Sequence, residues 1–238
     1  YDQGMRNLKK MGFIPVPGKH VLKKHFYEAG SAVERAEDIN SFFNDKTIKA
    51  ILTTQGGANA NSVLPFLDWK LIHKNPKPFI GISDITVLLL AIHKKTGMIT
   101  FHGNDLIWGL GNKPTDYDKK EFIEILSNGR IGTIPPNGDR KEIRKGKASG
   151  KLIGGNLNCM MHLSGTEFFP DFRDAIYFVE SYKVDQELLH AHFIHLKMMR
   201  IFDKIKGVIV GYILDLQKPD SKLRQCEDNL LDVTKEYD

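Results

Sequence analysis

The feature that most constrains this chain is an alternation of two periods. Short apolar runs that suit strands give way at once to segments of helical spacing, and the sharpest case is KPFIGISDITVLLLAIHKKTG at 77–97. Phe79, Ile80 and Ile82 fit a buried strand, Ser83 stands at its end, and a helix is expected to follow over 84–95. Strands separated by helices have to be joined by crossovers, which favours a parallel sheet covered on its faces.

The same reading extends in both directions. Ser31-Ala32-Val33-Glu34 has capping-box spacing and opens a helix whose apolar positions Ala36, Ile39 and Phe43 share a face. A strand is expected over 49–54, a turn at Gly56-Gly57, a helix onward to about residue 72, a strand over 79–82 and another over 99–102. Residues 115–128 read as a helix closed by Gly129. Together these predict a doubly wound α/β domain over 1–128. Residues 129–150 change to Gly, Pro and charge without apolar periodicity and are expected to be a linker. A second, smaller mixed α/β domain is expected over 151–238. It has a glycine-rich entry at Gly154-Gly155-Asn156, a short helix, a strand over 175–179 ending at Glu180, a helix over about 185–202 and a strand over 207–214.

Composition narrows the function classes. The longest apolar run, 85–92, contains Thr86 and ends at His93-Lys94-Lys95, far short of a bilayer span. The chain begins at Tyr1 in a segment of helical spacing, with nothing there that resembles a signal peptide. The two cysteines, Cys159 and Cys226, have no metal-ligand spacing and suit a reducing compartment, so the cytoplasm is the expected location. The net charge of +5 is modest, and its densest cluster, residues 140–147, has no interleaved aromatic side chains to stack on bases. A solvated linker is the simpler reading of that cluster, and no nucleic-acid or membrane partner is expected.

In open α/β sheets ligands collect beyond the carboxyl ends of strands. Three features sit at such ends. Ser83 has the strand, sharp turn and helix context that exposes a nucleophile, although Gly81-Ile82-Ser83-Asp84-Ile85 is not G-x-S-x-G, and a lone serine there is more often a helix N-cap. Gly56-Gly57 can bring bare backbone amides close to a ligand, or can be an ordinary turn. Glu180 can orient a base or bind a metal, while a carboxylate at a strand end is more often a surface or ion-paired one. His192 and His195 share a helix face, but HExxH and CxxC spacings are absent and neither a metal nor any other cofactor is expected. His102, at a strand end, is more simply a structural histidine than a cleft residue.

Taken together, these stretches resemble the LD-carboxypeptidase family of serine peptidases, including its microcin C self-immunity relatives. The carriers are Glu34-Arg35-Ala36-Glu37-Asp38-Ile39, Gly56-Gly57 with Leu64-Pro65-Phe66-Leu67-Asp68, Pro76-Lys77 leading to Gly81-Ile82-Ser83-Asp84-Ile85-Thr86, Thr100-Phe101-His102-Gly103, Gly150-Lys151-Leu152-Ile153-Gly154-Gly155-Asn156-Leu157 and Tyr177-Phe178-Val179-Glu180. The resemblance implies a flavodoxin-like N-terminal domain, a smaller C-terminal domain and a Ser, Glu, His triad at their junction. It makes Ser83 the nucleophile, Glu180 the carboxylate, and the amides of Gly57 and Asp84 the oxyanion hole. The family usually has tyrosine where this chain has Ile82. Its histidine lies in a Gly-His context well after the glutamate; no such pair occurs between Glu180 and Asp238, so the general base is expected beyond Asp238. Its first strand is likewise expected ahead of Tyr1. Immunity-type relatives carry a tryptophan after Pro-Asn, where this chain has Pro136-Asn137-Gly138-Asp139-Arg140.

The leading expectation is a carboxypeptidase that cleaves an amide next to a free carboxylate, with a muropeptide L,D-bond as the family-type substrate and a homodimer as the assembly. A peptidase acting on an aminoacyl-nucleotide conjugate is the second reading. A catalytically silent ligand-binding module on the same scaffold is the third.

Overall fold

The computed structural model describes residues 1–218 and 222–237; residue 238, the expected end of the second domain, lies outside them. The chain separates into two compact units, Tyr1–Lys141 and Glu142–Asp238. The first holds α1 (Asp2–Lys10), α2 (Ala32–Asn44), β1 (Ile51–Leu52), α3 (Trp69–Lys74), β2 (Phe79–Gly81), α4 (Thr86–Thr96), β3 (Phe101–His102) and α5 (Asp116–Leu126). Its sheet is parallel, in the order β1-β2-β3, with Ile51 opposite Phe79 and Gly81 opposite His102.

Local chemistry explains these elements. Ser31 opens α2 with a full capping box to Glu34, and Thr115 opens α5 in the same way with Asp118. α4 is buried from Val87 through Ile92, so it is apolar on every side rather than along one stripe. It ends at Gly97, whose φ of 73° is the left-handed conformation that stops a helix. Phe43 of α2 stacks on Phe79 of β2 with ring centroids 6.1 Å apart, and both are buried.

The helix expected from Gly57 to residue 72 is instead two pieces. A 3-10 segment, Ala60–Phe66, contains Pro65, which lacks the N–H that a continuing helix needs. Asp68 then restarts the chain as α3 by accepting a hydrogen bond from Leu71 N.

The second unit holds β4 (Lys151–Asn156), α6 (Leu157–Met161), β5 (Ala175–Ser181), α7 (Gln186–Met198), β6 (Gly207–Ile213) and α8 (Cys226–Val233). Its sheet is also parallel, ordered β4-β5-β6. Alternate residues of β5, namely Ala175, Tyr177, Val179 and Ser181, are buried, leaving Ile176, Phe178 and Glu180 on the other face. β4 and α8 have no counterpart in the sequence reading. α7 stops before residue 202, and Arg200 follows it at a φ of 57°.

Candidate active site

The candidate nucleophile lies where β2 ends. Ile82 is still extended, and Ser83 then turns at a φ of 62°, a left-handed conformation that a residue with a Cβ adopts at a cost of about 1–3 kcal/mol. A short 3-10 segment, Ser83–Ile85, leads directly into α4. Neither segment is capped by a side chain, and the residue preceding α4 is Ile85, so capping does not account for the serine.

The glycine pair packs against this turn. A Cβ on Gly56 would lie 2.8 Å from Ser83 Cβ, 3.1 Å from Ser83 Oγ and 3.2 Å from Asp84 N, so only glycine lets the two strand ends approach this closely. One on Gly57 would lie 3.4 Å from Asp84 Oδ2. That carboxylate, buried, accepts from Ala60 N at 2.8 Å and so ties the residues after the glycines to the residue after the serine. Arg35 steadies the same segment from α2, with Nη1 donating to Asn59 Oδ1 at 3.3 Å and Nη2 to Ser62 Oγ at 3.0 Å. The structure therefore brings Gly57, Ser83 and Asp84 into one neighbourhood.

His102 is paired in register with Gly81. Burial pushes its pKa down to about 4, so the ring is neutral at pH 7.

Glu180 belongs to the second unit. It stands opposite Asn156 on β4, beside an irregularity in the β5–β6 pairing between Val179 and Ser181. Burial pushes its pKa above the ordinary carboxylate value, and a hydrogen bond from the Asn156 side chain opposes that shift. Asn156 Oδ1 accepts from Cys159 N at 3.2 Å to cap α6, which leaves the amide NH2 to face the carboxylate. The preceding Gly154 and Gly155 have φ values of 151° and 141°, and a Cβ on Gly154 would lie 1.7 Å from Phe178 O. Glycine is what lets β4 deliver Asn156 there.

His192 and His195 lie on α7. The pKa of His192 is lowered by burial first, then by His195 and His162. Among the described residues no group of three or more His, Cys, Asp or Glu side chains gathers as metal ligands would. No helix there is long and apolar enough to cross a membrane.

Residues 1–103 match the LD-carboxypeptidase N-terminal domain, and residues 149–238 match the LD-carboxypeptidase C-terminal domain. The chain belongs to the LD-carboxypeptidase family. Within this family of peptidases it is 35% identical to the microcin C7 self-immunity protein MccF of Escherichia coli over 89% of this chain and 70% of that protein. It is 32% identical to the murein tetrapeptide carboxypeptidase of Pseudomonas aeruginosa, over 68% of this chain and 54% of that protein. The solved structure of MccF in complex with aspartyl sulfamoyl adenosine superimposes with a TM-score of 0.85 at 34% identity, covering 98% of this chain and 78% of that one.

For this LD-carboxypeptidase chain, sequence reasoning missed three features. The Asp84 carboxylate as a tie to Ala60, the double use of Asn156, and the π-helical turn Leu106–Leu110 after β3, which Asp105 caps by accepting from Trp108 N and Gly109 N, all depend on which atoms meet across the fold. The Gly154-Gly155-Asn156 run was a visible signal for the second of these, because consecutive glycines before a polar residue mark close backbone approach.

Proposed function

We propose that the protein is a serine carboxypeptidase that hydrolyses an amide next to a free carboxylate, with the L,D-bond of a murein tetrapeptide as its substrate. Ser83 Oγ attacks the carbonyl carbon while a histidine takes its proton, and the resulting oxyanion is held by the amides of Gly57 and Asp84. The histidine then protonates the leaving amine, and water repeats the sequence on the acyl-enzyme to release product and restore the hydroxyl. Glu180 orients that histidine, which the family pattern assigns to a Gly-His pair after the glutamate. The observation that carries this reading is the strained Ser83 at a strand-to-helix turn, with Gly56 fitted against it.

The domains take the limits 1–128 and 151–238, joined by 129–150. The protein acts in the cytoplasm as a homodimer. Its partner in chemistry is a small peptide or peptide conjugate rather than a nucleic acid or membrane. Two free, buried cysteines support a reducing location.

The bound aspartyl sulfamoyl adenosine in MccF supports a second reading, cleavage of an aminoacyl-nucleotide conjugate. Incubating the full-length protein with a murein tetrapeptide and with aspartyl sulfamoyl adenosine separates the two. Release of the terminal D-amino acid from the tetrapeptide is the expected result. Cleavage of the conjugate alone would favour the second reading, and tight binding of either without turnover would leave a binding module.

A further inference from the structure

Residues 20–30 are held on α2 by polar and charged pairs. His20 is buried, with its main-chain N donating to Asp38 Oδ2 at 2.9 Å and its ring Nδ1 standing 3.0 Å from Asp38 Oδ1. Lys23 Nζ meets Glu34 Oε1 at 2.5 Å, and Glu28 Oε1 accepts from Arg35 Nη2 at 3.2 Å. Leu22, Phe26 and Tyr27, by contrast, are exposed, so burial of large side chains is not what holds this segment.

One of these grips is shared. Arg35 also donates from Nη1 to Asn59 Oδ1 at 3.3 Å and from Nη2 to Ser62 Oγ at 3.0 Å, and Ser62 Oγ in turn donates to Asn59 O at 2.8 Å. Asn59 occupies the N-cap position of the 3-10 segment Ala60–Phe66, where an asparagine side chain ordinarily bonds its own helix, yet it makes no such bond. Its oxygen is taken by the guanidinium instead. On the other side, Ala60 N donates to the Asp84 carboxylate at 2.8 Å. Residues 59 and 60, two and three positions beyond Gly57, are therefore clamped between α2 and the residue after Ser83. A guanidinium carries its donors in a rigid fork, so fixing its direction on Glu28 also fixes what it offers Asn59 and Ser62.

We propose that Arg35 is a positioning residue for the glycine segment, held in its own orientation by Glu28, and that it thereby sets the Gly57 amide. Residues 20–30 then act on the reaction without supplying a reacting group. The consequence for chemistry rests on Gly57 being an oxyanion donor; the clamp on Asn59 does not.

Hydrogen exchange on the full-length protein, without substrate, reads the clamp. In Arg35→Ala the amides of Ala60 and Ser62, which donate to Asp84 and to Asn59 O, should exchange about tenfold faster or more, while those of α4 keep their wild-type rates. Kinetics read the consequence. Arg35→Ala should lower kcat on a murein tetrapeptide by about ten- to a hundredfold with little change in KM, because a displaced oxyanion donor is felt in the transition state more than in binding. Added guanidinium ion, kept below denaturing concentration, should restore part of that loss, whereas Arg35→Lys should not, since one ammonium cannot reproduce the fork. Asn59→Ala, which leaves Arg35 and Glu28 paired, should reproduce the kcat loss and serves where Arg35→Ala does not fold. Glu28→Ala combined with Arg35→Ala should be no slower than Arg35→Ala alone, as expected of residues that act in series. Faster exchange at Ala60 and Ser62 in a protein whose wild type hydrolyses nothing upholds the clamp and breaks the peptidase reading. Unchanged exchange at both amides, exchange raised equally in α4, or an unchanged kcat in Arg35→Ala or Asn59→Ala of an active enzyme overturns the proposal.

Discussion

The ends of β2 and β5 look alike in outline and solve different problems. Each is the carboxyl end of a central parallel strand, and each has a glycine pair on the neighbouring strand or its extension. At β2 the cost is conformational: Ser83 is held at a φ of 62°, and Gly56 is bare so that the serine can sit beside it. At β5 the cost is electrostatic: Glu180 is desolvated and its pKa raised, with Asn156 providing partial compensation. The lesson is that one sequence mark, two glycines beside a strand end, serves a strained serine in one unit and a buried carboxylate in the other.

The comparison is broken most severely at Glu180. Glu180→Gln should lower kcat by about 10⁴, the loss typical when the orienting acid of a triad becomes an amide. The same change should not destabilise the fold at neutral pH. Because the folded-state pKa is raised above the unfolded value, wild-type stability declines as pH rises from the ordinary carboxylate value through the folded one, and the glutamine variant lacks that decline. Denaturant midpoints across pH 4–8, a window on the order of the carboxylate range and its upward shift, would show it. A variant that melts early at pH 7 would mean that the ionised carboxylate stabilises the second unit.

Exchanging the glycines sharpens the contrast. Gly56→Ala should cost about 10²–10³ in kcat, the magnitude of losing one oxyanion donor, because the new methyl pushes on Ser83 and the Asp84 amide. Gly154→Ala should chiefly cost stability, about 3 kcal/mol, since its Cβ has no room beside Phe178 O and its φ is foreign to alanine. Thermal melts and kinetics on both variants would read the split, and equal effects on both quantities would erase the distinction.

His102 gives the first unit its own pH signature. Its folded pKa of about 4 lies below the ordinary 6.5, so its contribution is fully present above pH 6.5 and is lost as pH falls toward 4. Wild type should lose about 3 kcal/mol more than His102→Asn over that interval, which unfolding at matched pH would measure. The smallest effect belongs to Asp84. Asp84→Ala should lower kcat about tenfold with little change in KM by freeing Ala60 N, and Asp84→Asn, which keeps an acceptor, should recover most of the loss.

How much of this was legible depended on whether the signal was local. The capping boxes at Ser31 and Thr115, the all-apolar 87–92 stretch and the alternation in β5 are written in neighbouring residues, so their elements could be read. β4 could not be read, because Gly154 and Gly155 carry no strand propensity and adopt their φ values only against Phe178. The π turn has no periodic pattern and exists because a buried Asp105 holds Trp108 N and Gly109 N. The candidates Ser83, Gly57, Asp84 and Glu180 came from ordered blocks of sequence, while the atoms that hold each of them within its own unit, such as Ala60 N on Asp84 and the Asn156 side chain on Glu180, came only from the fold.

If Ser83 is the nucleophile, it carries the covalent intermediate. Acid quench of the full-length protein during turnover of a murein tetrapeptide, followed by peptide mass mapping, tests it directly. An acyl adduct is expected on the peptide containing Ser83, absent together with turnover in Ser83→Ala. An adduct on another residue, or sustained turnover by Ser83→Ala, would contradict it.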